Sequence, residues 1–303
     1  MTIDPKSLKL FVQVMQEGTI SAVAEREHIA AAAISRRIAE LESTLDVALV
    51  KRSNRGLQPT PAGQMLISRS HRVLNELESL QMQLHDYRSG ARGYVRIHAN
   101  MSAINEFLPT ELKRWLASNP AVRIDLTQAL SSEISQAVAD NAADIGLLVV
   151  DEPLAEVEYL PYRSDQLVVI TPTQHPLAQR TRITFADTLP YMYIGLPQGS
   201  QLNLQLTRAA MSAGKNWQIR FLVQNYGAQT LMVEAGLGIG LLPRRIAEAH
   251  AKALKLNIIE LDEEWAHRQM HICIRSYDSL SISAQGLVDQ MAGNRPPHAL
   301  VPP

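Results

Sequence analysis

Ser35 and Arg36 are side chains that can hydrogen-bond to the edge of a DNA base, and both fall in one short amphipathic segment. Apolar residues recur there at i, i+4 and i+7, the spacing of a helix that buries one face. These positions are Ile34, Ile38 and Leu41. Ser35 and Arg36 then face away from the apolar stripe, and Arg37 lies on its flank. A helix of this kind can enter the major groove and read bases there.

The entrance of this helix consists of alanines rather than capping or hydrogen-bonding residues. Ala31 and Ala32 belong to a run that covers residues 30–33. Alanine favours the helix but offers no hydrogen bond to a base edge. At these positions the helix can contact thymine methyl groups or let its backbone approach the DNA closely.

The elements around this helix are those of a winged helix-turn-helix domain. Residues 5–16 form a first helix that ends at Gly18, and Thr19 caps a second one that leads into a turn at 27–29. After the third helix, two short extended runs flank a polar turn within residues 48–60, which indicates a β-hairpin. Its basic side chains would contact phosphates, and the alternative is a solvated loop with incidental charges. They are Lys51, Arg52 and Arg55.

A long helix follows, capped by Thr60 and with Pro61 at its first position. Its apolar residues alternate at spacings of three and four, which is a heptad seam interrupted by Ser70. We expect this seam to pair with the same helix of a second chain, and the alternative is packing onto the following domain. The dimerisation residues are Leu66, Val73, Leu77, Leu80 and Leu84.

The glycines at residues 90 and 93 mark a domain boundary, beyond which strand and helix patterns alternate. This alternation predicts a mostly parallel sheet with helices on its faces, in two tandem α/β sets. A hinge is expected around residues 161–165, and a return crossing near His267 would bring the last strand and helix back to the first set. The closing proline-rich segment is expected to be disordered.

Ligands of such folds bind beyond the carboxyl ends of the strands, where helix N-termini present free N–H groups. Three segments meet this description, at residues 99–103, 196–201 and 225–227, and Ser131 could line the rim. The alternative for each Ser or Asn is a plain helix cap. His98 is expected to be structural, and the orientations of Arg96 and Arg163 stay open, so no cationic clamp is evident. The candidate effector contacts are Asn100, Met101, Ser102, Ser131, Gln198, Gly199, Ser200 and Asn225.

Composition excludes several classes of protein. The net charge is −1, although residues 1–72 carry ten basic and seven acidic side chains, a modest bias toward a nucleic-acid partner. The single cysteine, Cys273, lies in an apolar run and is expected to be a buried small hydrophobe. No metal site, signal peptide or membrane span is indicated. The GxSxG, P-loop, GxGxxG and HExxH motifs of common enzymes are absent, and a solute-binding protein would need an export signal.

The whole chain resembles the LysR-type transcriptional regulators. The resemblance includes 18–20, 34–38, 41–42, Arg52 and 60–63, and it continues through 108–109, 144–146, 175–177 and 236–243. It implies an α/β protein with an N-terminal winged helix-turn-helix at 1–60 and a dimerising linker helix at 61–90. It also implies an effector domain like the periplasmic binding proteins, with subdomain I at 93–162 plus 267–292 and subdomain II at 163–266, before the tail at 293–303.

The resemblance further implies a non-enzymatic bacterial regulator, cytoplasmic and commonly tetrameric as a dimer of dimers. Its expected partners are operator DNA, copies of itself, a small-molecule co-inducer such as a small carboxylate, and RNA polymerase; no cofactor and no membrane are expected. Asn100 and Ser102 match positions that contact effectors in the family. The chain departs from the family where a Gln often reads a base, because Ala31 stands there. Base reading would then depend more on Ser35, Arg36, the wing and DNA shape.

Overall fold

The computed structural model describes residues 3–53, 56–89, 93–150 and 152–293. The chain divides into two compact units, of which the N-terminal one ends at Arg88 and the C-terminal one begins at Ser89. The turn of the predicted hairpin and the tail from residue 294 lie outside the described residues. Within the described part of the chain, no helix is both long and apolar enough to cross a membrane.

The N-terminal unit has the predicted winged helix-turn-helix architecture. Asp4 caps α1 through the N–H groups of Lys6 and Ser7, and Gly18 ends this helix in the left-handed conformation, at φ 74°. Thr19 caps α2, and the left-handed His28 closes it. The elements are α1 Pro5–Glu17, α2 Ile20–Glu27, α3 Ala31–Leu45, β1 Val50–Ser53, β2 Gly56–Pro59 and α4 Pro61–Ser89.

One apolar core joins these elements. Phe11, Val23 and Ile34 are each fully buried, and they bring together α1, α2 and α3. The hairpin and α4 close the core at Leu49 and Gly63. A Cβ added to Gly63 would lie 2.1 Å from the carbonyl oxygen of Leu49, so only glycine allows α4 to approach β1 this closely.

The C-terminal unit alternates strands and helices, as the sequence predicts. Its larger sheet has the order β4-β3-β5-β12-β6-β11-β7, with β10 also paired to β6, and β8 and β9 form a second, parallel sheet. The first elements are β3 Tyr94–Ala99, α5 Met101–Glu106, α6 Leu108–Ser118, β4 Arg123–Gln128, α7 Ser131–Ala139, β5 Ile145–Val149 and β6 Glu158–Pro172. They are followed by β7 Arg182–Ile183, α8 Phe185–Thr188, β8 Met192–Gly195, α9 Gln201–Ser212, β9 Gln218–Leu222, α10 Tyr226–Glu234, β10 Gly240–Pro243, α11 Arg244–Ala251, β11 Leu256–Leu261, β12 His267–Ile274 and α12 Ile282–Ala292.

Two long antiparallel strands, β6 and β12, connect the two halves of this unit. One core packs around Ile97, Leu147 and Leu287, and a second packs around Val169 and Tyr193. We refer to these halves as subdomains I and II. The predicted hinge at 161–165 lies inside β6, which runs unbroken and pairs with β12 on both sides of an irregularity between Gln269 and His271. The connection between the two halves is therefore a pair of hydrogen-bonded strands rather than a loop, because β6 and β12 both run from one half into the other.

Local differences from the sequence-based expectation have simple causes. The segment after β3 forms two helices that meet at Phe107, since Pro109 has no N–H to continue α5 and sits in the first turn of α6. The helix α11 and the strand β11 were not predicted. Cys273 is buried, as expected.

Candidate functional site

Helix α3 presents the face that the sequence predicts for DNA reading. Ile34, Ile38 and Leu41 are buried, at 0, 6 and 3% exposure. Ser35 and Arg36 are exposed on the opposite face, and Arg36 pairs only loosely with Glu40, at 3.5 Å. The alanine entrance, with Ala31 and Ala32, is also exposed, and Ala30 makes no side-chain cap. The predicted reading residues are therefore exposed on one side of the helix, opposite its buried stripe.

Arg37, predicted as a DNA contact on the flank of the stripe, is engaged within the protein. Its Nη1 donates to Oδ2 of Asp4 at 2.7 Å and to Oγ of Ser7 at 3.1 Å. The hydrogen bond from Ser7, together with backbone N–H groups and Arg37, lowers the pKa of Asp4. This pair ties α3 to the first turn of α1, so Arg37 holds the reading helix in position.

The wing is an antiparallel hairpin, in which Lys51 pairs with Gln58 and Arg52 with Leu57. Lys51 and Arg52 are both exposed on β1. Successive strand residues point to opposite faces, so these two charges leave the hairpin on opposite sides. Arg55, the third predicted phosphate contact, lies outside the described residues.

The apolar seam of α4 splits into two groups. Leu66, predicted as a dimerisation residue, packs against the core of its own unit. The remaining members have no such cover in the described part of the unit. Val73, Leu77, Leu80 and Leu84 are 50, 36, 52 and 59% exposed.

A cavity of about 280 Å³ lies between subdomains I and II, at the carboxyl ends of β3, β4, β8 and β9. This is near the lower end of the volumes typical of small-molecule sites. Five of the predicted effector residues line it: Asn100, Met101, Ser102, Ser131 and Ser200. Gln201 and Tyr226 also line it; they lie in the predicted segments 196–201 and 225–227 but were not named as contacts. Gln128, Gln224 and Arg268 line it as well and were not predicted.

Three predicted effector residues do not line this cavity. Gln198 is exposed, and Gly199 adopts a left-handed turn at φ 84° and faces a neighbouring cavity. Asn225 lies beside the lining residues, where its Oδ1 accepts the N–H of Ala228 at 2.8 Å. Asn225 is thus a helix cap, the alternative that its residue type left open.

Asn100 and Ser200 combine both roles. Oδ1 of Asn100 accepts the N–H of Ala103 at 2.9 Å, and Oγ of Ser200 accepts the N–H of Asn203 at 3.3 Å. Each side chain therefore stabilises the first turn of a helix while it lines the cavity.

Ser102 is the centre of a buried network that bridges the cleft. Its hydroxyl lies 3.0 Å from the hydroxyl of Tyr226, and Nη2 of Arg268 donates to it at 3.1 Å. Arg268 also binds Asp165 through two nitrogens of its guanidinium. Nε donates to Oδ1 at 2.8 Å, and Nη2 donates to Oδ2. Ser102 belongs to subdomain I, Tyr226 to subdomain II, and the ion pair joins the two crossing strands.

Burial shapes the titration of this network. Burial raises the pKa of the Tyr226 hydroxyl, which stays protonated. Burial would lower the pKa of Arg268, but the carboxylate of Asp165 outweighs it and raises the value, so the guanidinium stays charged. Burial and then the nearby Asp165 charge raise the pKa of Glu106 to about 7.

The cations left open by the sequence are engaged elsewhere. Arg96 binds Asp144 at 2.7 Å, and Arg163 binds the buried Glu111 at 2.7 Å. His98 is half-buried on β3, and burial lowers its pKa, in keeping with a structural role. Arg268 was missed because an arginine inside a strand carries no sequence signal. Tyr226 lies in the predicted segment 225–227, but no motif marks a tyrosine at the start of a helix as a contact. Gln128 ends β4 and Gln224 follows β9, so their position at strand ends could have marked them as candidate ligand contacts.

Comparisons with known proteins agree with this architecture. Residues 5–64 match the family model of the bacterial regulatory helix-turn-helix proteins of the lysR family, and residues 88–295 match the LysR substrate binding domain. The HTH-type transcriptional regulator CysL of Bacillus subtilis is 25% identical over 84% of this chain and 85% of its own.

Two solved structures have the same fold. The LysR family transcriptional regulator CbnR matches with a TM-score of 0.69 and 18% identity over 96% of this chain and 99% of its own, and it has also been solved with its target DNA. The regulatory domain of Synechocystis PCC6803 CcmR, solved in complex with 2-PG, matches with a TM-score of 0.61 and 21% identity over 67% of this chain and 98% of its own. With both family models matched in order, this chain belongs to the LysR family of transcriptional regulators and is not an enzyme.

Proposed function

We propose that this regulator binds operator DNA as an oligomer, and that a small molecule in the cavity between subdomains I and II controls the binding and bending of that DNA. The observation that carries the proposal is the network of Ser102, Tyr226 and Arg268. It links both subdomains through the floor of the cavity, so a ligand there changes contacts on both sides at once. A ligand can shift an arrangement only if its contacts differ between the two states.

DNA is read by two copies of α3 in successive major grooves, about 34 Å apart along the duplex. Ser35 and Arg36 contact base edges, while Ala31 and Ala32 contact thymine methyl groups. Lys51, Arg52 and Arg55 supply phosphate contacts, and these make the affinity steeply dependent on salt. The exposure of the α3 face and of the two described wing cations supports this assignment.

The oligomer is a dimer held by α4 helices, and two dimers form a homotetramer. The exposed Val73, Leu77, Leu80 and Leu84 stripe supports pairing with a second chain. RNA polymerase is a further partner of the regulator in this proposal, and the regulator acts in the bacterial cytoplasm. Two structural neighbours are solved with small molecules, the effector binding domain of QuiR with shikimate and the regulatory domain of CcmR with 2-PG. A carboxylate in this cavity would meet Arg268, which is already paired with Asp165.

Substitution Arg36→Ala tests the DNA-reading face. We expect loss of specific operator binding, with a penalty of about 1–3 kcal/mol per specific base contact. Fold and oligomeric state should persist, because the Arg36 side chain is 76% exposed and its pairing with Glu40 is loose. Footprinting on promoter fragments from the source genome measures the effect, with Glu40→Ala as the matched control. A wild-type footprint from Arg36→Ala would refute the assignment.

A further inference from the structure

The strongest cation of the cavity is already neutralised by the protein. Among the described residues that line it, Arg268 is the only basic side chain. Its side chain is 9% exposed, that of Asp165 is fully buried, and the two form a bidentate ion pair. An anionic ligand at Arg268 would therefore meet a guanidinium whose charge is already balanced, and breaking the pair to gain that charge would leave a buried carboxylate unpaired, which is strongly unfavourable.

A second positive feature, the N-terminus of α7, is also matched by an acidic residue. Glu133 lies in the first turn, and its Oε2 accepts the N–H of Leu130 at 3.1 Å. The helix dipole makes this end favourable for an anion, but the carboxylate of Glu133 already occupies it. At the starts of α9 and α10, Ser200 and Asn225 accept one N–H each.

A third acidic side chain lies beside the ion pair. Glu106 follows Ser102 by one turn of α5 and is close enough to Asp165, Arg268 and Arg245 to interact with them electrostatically. Glu106 does not line the cavity itself, but its carboxyl interacts with the ion pair from behind the lining residues. The charges around the guanidinium are thus close to balanced, with Arg245 and Arg268 set against Asp165 and Glu106.

The rest of the lining offers neutral hydrogen-bonding groups and apolar surface. Amides come from Asn100, Gln128, Gln201 and Gln224, and a hydroxyl comes from Ser131. Amides and hydroxyls can both donate and accept, so they match a ligand whose groups do the same. We propose, resting on the proposed function of this cavity, that the effector is an uncharged small molecule with hydroxyl or amide groups and not an anion.

The test removes the protein's own negative charge and asks whether the cavity then binds an anion. Inorganic phosphate and lactate are the probes, with lactamide as the uncharged counterpart of lactate, in calorimetry and thermal unfolding of the full chain at constant ionic strength. We expect phosphate and lactate to bind Asp165→Asn at least about tenfold more tightly than wild type, because Arg268 is then uncompensated. The double variant Asp165→Asn with Arg268→Gln should lose this gain.

A second variant keeps the test decisive if Asp165→Asn does not fold. Glu133→Gln changes an exposed side chain, and it should tighten anion binding about two- to fivefold by freeing the start of α7. The proposal is overturned if wild type binds lactate more tightly than lactamide, or if neither variant gains affinity for anions. Binding of the same proteins to promoter fragments is measured in parallel. Failure there would reject the proposed function without changing the charge result.

Discussion

Substitution Tyr226→Phe removes the one hydroxyl by which subdomain II reaches Ser102 in the cleft network. The two hydroxyl oxygens lie 3.0 Å apart and both side chains are buried. Ser102 keeps its hydrogen bond from Arg268, so the variant leaves no unsatisfied serine behind. The loss should therefore be that of one neutral hydrogen bond, about 0.5–1.5 kcal/mol.

That free energy corresponds to an increase of about two- to tenfold in the population of molecules in which subdomains I and II have separated at the cleft. Hydrogen exchange is the suitable assay because it reports local opening. The amides to follow are those of Ala103 and Ala228, which are capped by Asn100 and Asn225 on opposite sides of the cleft. We expect both to exchange about two- to tenfold faster in Tyr226→Phe.

The matched control is Tyr193→Phe. The Tyr193 hydroxyl is also buried and donates to Thr188, but both residues lie within subdomain II. This control should lower global stability by a similar amount without faster exchange at Ala103. Unchanged exchange at Ala103 and Ala228 in Tyr226→Phe, or equal acceleration in the control, would refute the bridging role of Tyr226.

Two further predictions concern the linker helix and the buried acid. Leu80→Asp places a charge in the exposed α4 stripe and should convert the dimer to monomers in sedimentation. The control Met65→Asp, at another exposed apolar position of the same helix, should leave the dimer intact. An unchanged mass for Leu80→Asp would mean that the stripe does not hold the chains together. Glu106 has a folded pKa of about 7, above its ordinary value, so its protonation contributes stability at low pH that is lost as pH rises through 7. Wild type should therefore lose stability between about pH 4.5 and pH 7 relative to Glu106→Gln in urea unfolding, and identical pH dependence for the two proteins would contradict the raised pKa.

Patterns of short range made the N-terminal unit predictable. Gly18 and Thr19 determine where α1 ends and α2 begins, because a left-handed turn and an N-cap each act within a few residues. The same holds for the spacing of Ile34, Ile38 and Leu41, which separates the buried face of α3 from the exposed one. The heptad spacing of α4 was less decisive, because spacing alone cannot tell that Leu66 is covered by its own unit and Leu80 is not.

The partners of the charged residues were decided by the tertiary structure. Arg37 finds Asp4, which is 33 residues away along the chain, and the sequence contains no sign of this pairing. The cleft shows the same effect more strongly, because Ser102 is 124 residues from Tyr226 and 166 residues from Arg268.

The sequence by itself determined the helix-turn-helix, the domain order and the strand ends at which a ligand site would form, since these depend on local periodicity and capping. Only the tertiary structure decided which side chains meet in the cleft and how their charges cancel. The return of β12 beside β6 places Arg268 against Asp165, and no local pattern encodes a contact made by two distant strands. The charge that a ligand meets in the cavity therefore depends on the pairing of β12 with β6 and cannot be read from either segment alone.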